Sequence, residues 1–262
     1  MPARAAVEAL LKERKLDRTL TSNLPERLRE DAVAPVGTDA LDRALSGGLP
    51  RGEVSEVVGP ASSGRTSIAW AALAAATERG ESVALIDTFD RFDPPTAHAC
   101  GIELSKLLWV RGQAMSKTTG AIDPAWLPGV RAVNGPGTFM ERVIDRAIKA
   151  LNLVVQSRVC TLVVIDLIDL PANAVRRLPA STWFRIERAI EGSDTAVLIL
   201  AAVPVARSVG GRSTALHANV VWRGEHDRTR RVAGVRVRAA ISAARWSHAQ
   251  SVEIETAILN AV

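Results

Sequence analysis

The sequence of 262 residues has only two cysteines and no tyrosine, and aromatic residues make up 4% of it. Cys100 and Cys160 lie far apart in segments of different kinds, so the sequence predicts neither a disulfide framework nor a cysteine metal site. The four histidines are scattered and lack acidic or cysteine neighbours at ligand spacing. We therefore assign no metal site to this chain.

Long apolar runs are also missing. Residues 1–15 are rich in alanine and charge and contain no apolar core of a signal peptide. No uninterrupted apolar segment reaches the roughly 20 residues that a membrane-spanning helix needs. With 47% hydrophobic residues, the chain suits one large domain with a short appendage. We expect a soluble, cytoplasmic protein without a membrane partner.

Residues 176–250 contain 13 arginines, five acidic residues and no lysine. The net charge of the whole chain is +5, so much of its basic character is concentrated there. Because arginine pairs with phosphates and carboxylates through a planar fork, this region indicates a nucleic acid or an acidic partner. An ordinary solvated surface is the alternative that composition leaves equally open.

From residue 36 onward the pattern alternates between strands and helices. Four apolar segments are predicted as buried strands, at residues 54–58, 83–86, 162–165 and 197–200. Residues 218–258 alternate in the manner of antiparallel strands. This order predicts an α/β fold with a mostly parallel central sheet flanked by helices and an antiparallel C-terminal extension. We expect a helical N-terminal arm at residues 1–35 and the core domain at 36–262.

A glycine-rich segment between a predicted strand and a predicted helix matches the phosphate-loop spacing G-x-x-x-x-G-K-[ST], except that Arg65 replaces the lysine. In such loops the backbone N–H groups cradle phosphates and the final hydroxyl holds Mg²⁺. Arginine keeps the charge but is bulkier and planar, so we expect weak or no binding of ATP and Mg²⁺, with normal binding as the alternative. The nucleotide-binding candidates are Gly59, Pro60, Ser62, Ser63, Gly64, Arg65, Thr66, Ser67 and Asp166.

The order of motifs between residues 36 and 110 resembles that of the RecA recombinase family, and residues 163–239 follow it by strand pattern. The resemblance rests on VGTDALD at 36–42, GGLPRG at 47–52, the phosphate loop, ID at 86–87, FDP at 92–94, GI at 101–102 and LL at 107–108. The resemblance implies a RecA-like phosphate-loop core. Among RecA-like proteins, the short chain and altered loop are most similar to the ImuA family. ImuA is a SulA-related accessory protein encoded with ImuB, a Y-family polymerase homologue, and an error-prone DnaE-type polymerase.

The resemblance also implies where catalytic groups should stand. Positions that carry the water-activating glutamate, the γ-phosphate sensor pair and two interface lysines in the family are here Phe89, Ala201, Ala202, Ala239 and Ile241. Asp166 matches the acid that supports Mg²⁺, although an aspartate that caps the following turn is the alternative. Since several independent parts are changed together, we assign no catalytic residue and expect no ATP hydrolysis.

In RecA two loops contact DNA, and the resemblance places them at residues 169–181 and 204–214. Arginines on such loops can contact phosphates without reading sequence. Ordinary surface loops remain the alternative. The DNA-binding candidates are Arg176, Arg177, Arg207, Arg212 and, beside Trp246, Arg245.

Three functions follow as hypotheses. The first is an accessory protein of SOS-induced translesion synthesis that binds RecA, an ImuB-type protein, a DnaE-type polymerase and single-stranded DNA, and self-associates through a RecA-type interface. The second is an active DNA-dependent ATPase of recombinational repair whose base is supplied by Asp90. The third is a SulA-type inhibitor of the cell-division protein FtsZ.

Overall fold

The computed structural model describes residues 33–112, 139–206, 210–226, 228–244 and 246–257. Residues 1–32 of the predicted arm and residues 113–138 lie outside the described residues. Val33–Ala34, placed in the arm by the sequence, form a short strand (β1) that pairs antiparallel with Leu49–Pro50 (β2).

In the described part of the chain, eight strands form one sheet in the order β10-β9-β8-β3-β7-β6-β4-β5. The strands from β3 to β8 are mutually parallel, whereas β9 and β10 are antiparallel additions at one edge. The strand bounds are Val54–Val58 (β3), Val83–Asp87 (β4), Leu107–Arg111 (β5), Leu162–Asp166 (β6), Ala196–Ala201 (β7), Ser213–Arg223 (β8), Arg231–Ser242 (β9) and Gln250–Ala257 (β10).

Helices cover both faces of the sheet. Their bounds are Asp39–Ala44 (α1), Arg65–Glu78 (α2), Pro94–Ala99 (α3), Phe139–Ser157 (α4), Ala172–Arg176 (α5) and Ala180–Ile190 (α6). Successive side chains of a strand point to opposite faces, so Leu85 joins the apolar cluster of α1, α2 and α3, and Ile86 joins the cluster of α4 and α6. The predicted α/β fold with an antiparallel C-terminal extension is confirmed. None of the described helices has the length and apolar character that crossing a bilayer requires.

The register of the parallel strands brings their carboxyl ends to one edge of the sheet. Val58 at the end of β3 is paired with Ala201 at the end of β7, and Asp87 at the end of β4 with Asp166 at the end of β6. Ligands of open α/β sheets bind at this edge. The phosphate loop and the predicted catalytic positions therefore lie close together.

A partly buried arginine stabilises the opposite edge of the sheet. Arg51 forms an ion pair with Glu81 at 2.9 Å, and its guanidinium also donates to the backbone oxygens of Asp194 at 2.8 Å and Val33 at 3.3 Å. Burial acts to raise the pKa of Glu81, but hydrogen bonds from Arg79 and Thr161 and the charge of Arg51 hold this pKa below its usual value. One side chain thus joins four segments that are distant in sequence.

We expect Arg51→Met to lower the free energy of unfolding by about 2–3 kcal/mol at pH 7, because it leaves the Glu81 carboxylate partly unpaired in a mostly buried position. Urea denaturation measures the change. Arg43→Met is the control, since Arg43 is exposed and its guanidinium contacts the backbone oxygen of Asp39. Equal effects of the two substitutions would contradict the assignment.

Candidate functional site

The phosphate loop connects a buried strand to a helix. All five residues of β3 are buried, and α2 begins at Arg65 directly after the loop. Gly64 precedes the helix with φ of +92°, a left-handed conformation that glycine adopts without a steric penalty. The N-terminus of α2 therefore points its unpaired N–H groups toward the loop, as an anion site requires.

Two buried polar atoms of the loop have no hydrogen-bond partner among the described residues. They are the hydroxyl oxygen of Ser63, a residue 1% exposed, and Nη1 of Arg65, a residue 6% exposed. Buried donors without partners are rare and call for a physical explanation. A phosphate oxygen in the loop would accept from both. The residues present therefore fit a phosphate group, including the arginine that replaces the usual lysine.

A cavity of about 570 Å³ adjoins the loop. Residues 61–68 line one side, and the exposed hydroxyl groups of Thr66 and Ser67 belong to this wall. The opposite wall is apolar and comes from Ile168 and from the antiparallel strands, through Val235, Val237 and Ile254. The antiparallel extension thus forms one side of the candidate nucleotide site. Among the nucleotide-binding candidates, Gly59, Pro60 and Asp166 are not part of the lining.

Arg65 carries its charge in a confined position. Burial lowers the pKa of its guanidinium, and the nearby carboxylates of Asp166 and Asp169 act in the opposite direction. Arginine remains protonated at any ordinary pH. The loop therefore keeps a fixed positive charge beside the carboxyl end of β6.

Among the acids of the site, Asp166 has a pKa well above its ordinary value. Burial, together with the charges of Asp87 and Asp169, raises its pKa to about 6, although a hydrogen bond from the backbone N–H of Ile168 and the charge of Arg65 oppose this. That hydrogen bond measures 2.8 Å to Oδ1. Asp166 thus caps the following turn, which was the alternative weighed from the sequence, and it lies near the phosphate-loop cation, while its support of Mg²⁺ stays a prediction.

Asp87, at the end of the neighbouring strand, is a structural acid. It is 2% exposed, and its two oxygens accept from the backbone N–H groups of Arg91 and Phe92, each at 2.8 Å. Oδ2 also accepts from the indole N–H of Trp109 at 3.1 Å. Because it already accepts three hydrogen bonds, this carboxylate fixes the turn after β4 and has little capacity left for a ligand.

The position predicted to lack the catalytic base lies inside the protein. Phe89 is 3% exposed and packs in the apolar cluster that contains Ile86 and Ile148. Its neighbour Asp90 has φ of +55° and forms two parallel hydrogen bonds with Arg111, each 2.8 Å long. Arg111 in turn lies 4.5 Å from the ring centroid of Trp109. The carboxylate considered as a substitute base is thus committed to a bidentate ion pair.

The sensor positions are equally apolar. Ala201 is fully buried beside Val58, immediately before the phosphate loop, and Ala202 is partly buried. Ala239 and Ile241, where the resemblance would place interface lysines, are also fully buried in β9. These four side chains supply methyl and methylene groups at positions where the resemblance implies polar groups in the RecA family.

The base of the second predicted DNA loop is held by a buried glutamate that the sequence analysis did not single out. Glu56, 3% exposed in β3, accepts from the backbone N–H groups of Val205 at 2.8 Å and Ala206 at 3.0 Å, and from the hydroxyl of Ser213 at 2.7 Å. A charged residue within an otherwise apolar strand was the available signal, because such residues are buried only with partners. Glu56 therefore joins both ends of this loop to the middle of β3.

Of the DNA-binding candidates Arg207, Arg212 and Arg245, only Arg212 is among the described residues. Arg212 stacks over Trp246 at 4.6 Å, and its Nη1 donates to the backbone oxygen of Gly210 at 2.9 Å. Trp246, the neighbour of the candidate Arg245, is therefore covered by an arginine of its own chain. Arg207 and Arg245 lie outside the described residues.

The first predicted DNA loop is partly helical, since α5 lies within it. Arg176 and Arg177 are exposed at its end. Arg176 borders a groove of about 460 Å³, which also includes Phe184 and residues 204–206 of the second loop. Phe184 is 53% exposed on α6 and was missed from the sequence, although its position outside the buried stripe of that helix, formed by Trp183 and Ile186, was a readable signal. The two predicted loops thus meet at one groove.

Comparisons with known proteins agree with this architecture. Residues 12–120 match the RecA N-terminal domain family. Protein RecA of Lactobacillus delbrueckii subsp. bulgaricus is 38% identical over 111 residues, which cover 40% of this chain and 33% of that protein. Protein RecA of Salinispora tropica is 49% identical over 80 residues, which cover 30% of this chain and 23% of that protein. The chain therefore spans a third or less of the length of these relatives.

The fold has a solved counterpart over most of the chain. The crystal structure of the RadB recombinase superposes with a TM-score of 0.52, at 16% sequence identity, and the match covers 87% of this chain and 96% of that one. At this level of identity the likeness concerns the fold alone.

We expect Asp166→Asn to stabilise the protein above pH 6. Because the folded-state pKa of about 6 exceeds the ordinary value of 3.8, the stabilisation from protonated Asp166 is complete below about pH 4 and is lost as the pH rises through 6. A neutral amide avoids this loss, which amounts to at most about 3 kcal/mol at pH 8. Unfolding free energies measured between pH 4 and pH 8 should coincide with wild type near pH 4, diverge progressively up to about pH 6 and differ by a constant amount above it.

Asp145→Asn is the matched control, since Asp145 is exposed and forms an ion pair with Lys149 on the surface of α4. It should change stability by less than about 0.5 kcal/mol across the range. Destabilisation by Asp166→Asn at pH 8 would show that its carboxylate is not strained by burial.

Proposed function

Because this RecA-like chain combines a RecA-type phosphate loop with a recombinase core fold, we propose that it is a non-hydrolysing accessory protein of DNA damage tolerance. In this role it binds RecA, an ImuB-type polymerase homologue and single-stranded DNA during SOS-induced translesion synthesis, together with a DnaE-type polymerase. The same proposal includes self-association through a RecA-type surface.

The observation that carries the proposal is the burial of Phe89. Catalysis of phosphoryl transfer to water depends on a group that positions or deprotonates the water. Here that position is packed in the core, and the adjacent Asp90 is paired with Arg111. Ala201 and Ala202, at the end of β7 beside β3, supply only methyl groups at the positions expected to sense the γ-phosphate.

The phosphate loop supports retained but weak anion binding. Ser63 and Arg65 would hold a phosphate group through their unpaired buried atoms, and the hydroxyls of Thr66 and Ser67 would lie at the same wall of the cavity. Asp166 stands near enough to Arg65 to influence its pKa and would support Mg²⁺ when ionised, above pH 6. When bound, ATP and Mg²⁺ would supply a charged ligand that orders the loop.

The groove between the two predicted loops supports contact with DNA. It combines the cation of Arg176 with the exposed ring of Phe184, and phosphate pairing and base stacking are the two sequence-tolerant modes of binding single strands. Arg177 borders an adjoining cavity of about 280 Å³ together with Arg185. These contacts require no nucleotide turnover.

An active DNA-dependent ATPase is the second candidate, and the well-formed phosphate loop favours it. Its base would have to come from Asp90, which would first have to leave Arg111. The two candidates therefore differ in one measurable quantity, the rate of ATP hydrolysis.

We expect negligible ATP turnover with or without single-stranded DNA. Arg65→Ala should weaken ATP binding at least about tenfold, since it removes the buried cation of the loop. Arg65→Lys should preserve or tighten binding without producing turnover, because Phe89 and Ala201 remain. Calorimetric titration with ATP and Mg²⁺ and a phosphate-release assay measure both quantities. Turnover near that of a RecA, abolished by Arg65→Ala and reduced by Asp90→Asn, would establish the active ATPase instead.

We also expect the chain to bind RecA assembled on single-stranded DNA. Co-sedimentation with such filaments, compared with DNA alone and with FtsZ polymers, measures this preference. Binding to FtsZ without binding to RecA would replace the proposal with the cell-division inhibitor.

A further inference from the structure

The phosphate loop rests on the strands that form the apolar wall of its cavity. Gly64 lies between Ser63 and Arg65, whose buried polar atoms have no hydrogen-bond partner among the described residues. A Cβ on Gly64 would lie 3.6 Å from Cγ2 of Val237, which is paired with Ala218 of β8. Val237 and Ala218 both pack in the apolar cluster that α2 covers. The anion site therefore lies on this face of β8 and β9.

Beyond the loop the same face carries exposed apolar side chains. Because side chains alternate along a strand, Ala218, Val220 and Trp222 of β8 share one face. Val220 is paired with Val235, which lines the cavity, and Trp222 is paired with Val232. Val220 is 47% exposed, Trp222 55% and Val232 39%. An apolar strip thus runs from the cavity wall to an exposed indole.

The length of this strip is comparable to that of a nucleotide. Trp222 lies four residues after Ala218, which corresponds to about 13 Å along the strand. An extended nucleoside polyphosphate spans a similar distance between its phosphates and its base. A phosphate group held by Ser63 and Arg65 would therefore bring the base over Val220 and beside the indole.

The chemistry of the strip also suits a base. Stacking on an indole and contact with aliphatic side chains use the flat faces of a base and depend little on its identity. An exposed cluster with a tryptophan is suited to a protein partner as well. Only a ligand that is anchored in the phosphate loop, however, uses the continuity of the strip with the cavity wall at Val235 and Val237.

We propose that Val220 and Trp222 form the base-binding part of the nucleotide site, with the indole stacked on the base of a nucleotide whose phosphates lie in the loop. This inference rests on the phosphate binding proposed above and adds to it a subsite outside the loop. Because the strip offers hydrocarbon surface and one indole, it selects weakly between purine bases. ATP and GTP should therefore bind within about threefold of each other.

Three ligands separate the contribution of the base from that of the phosphates. They are ATP, GTP and inorganic tripolyphosphate, each titrated calorimetrically with Mg²⁺ into the full chain. Trp222→Ala should weaken the binding of both nucleotides about 5- to 100-fold, the range of losing one stacked base, and leave the affinity for tripolyphosphate unchanged. Trp222→Phe should retain most of the nucleotide affinity, because phenylalanine also stacks.

Leu153→Ala is the matched control, since Leu153 is an exposed apolar side chain of α4, on the other face of the sheet. It should change none of the three affinities. Indole fluorescence gives a second readout, because both nucleotides, but not tripolyphosphate, should quench the wild-type signal and Trp222→Phe should remove this quenching. Thermal unfolding verifies the fold of each variant and should be unchanged, since the substituted side chains are exposed.

Two results would overturn the base-binding subsite alone. They are an unchanged nucleotide affinity of Trp222→Ala, and an equal loss of affinity for nucleotides and tripolyphosphate in this variant. If the first is accompanied by loss of co-sedimentation with RecA filaments, the strip is a protein contact instead.

The proposed function fails in a different way. Phosphate release from ATP by the wild-type chain would contradict the non-hydrolysing role while leaving the subsite intact. If the wild-type chain bound none of the three ligands, both the phosphate binding and the subsite would be refuted.

Discussion

The parallel pairing of β7, β3, β6 and β4 is the constraint on which the site depends. Each of these strands is buried on both faces, and their register is fixed by the apolar side chains that fill the two layers of the core. This register decides that Val58 meets Ala201 and that Asp87 meets Asp166 at the carboxyl edge. The packing of the core therefore determines which side chains surround the phosphate loop.

Several acidic groups at that edge or below it accept hydrogen bonds that hold the surrounding structure in place. Asp87 fixes the turn after β4, Asp90 clamps Arg111, and Glu56 fastens the second loop to β3. A buried carboxylate is tolerated only when donors satisfy it, and these donors come from the chain itself. Asp166 differs, because it accepts one described hydrogen bond and its pKa is raised. Ser63 and Arg65, on the phosphate loop, carry buried polar atoms without a hydrogen-bond partner among the described residues, as does Thr88 after β4.

The sequence was a good guide wherever the physical signal is local. Continuous apolar runs predicted β3, β4, β6 and β7, because strands covered on both faces cannot carry solvated residues, and alternation predicted the antiparallel extension. The phosphate loop was readable from its spacing. The structural partners were not readable, since Glu56 contacts residues about 150 positions away and Arg212 stacks on a tryptophan of another segment. The short helix α5, inside a predicted loop, was not predicted either, because five residues show too little periodicity to indicate a helix.

The length of the β8–β9 hairpin has a mechanical consequence. β8 pairs with β3 only as far as Ala215, and its residues 216–223 run on for roughly 25 Å with β9, beside which β10 is paired as far as Gly234. A 10° change of twist at Ala215 would therefore displace the far end of β8 by roughly 4 Å. A small change in the sheet near the phosphate loop is thus a larger movement at the far end of these antiparallel strands.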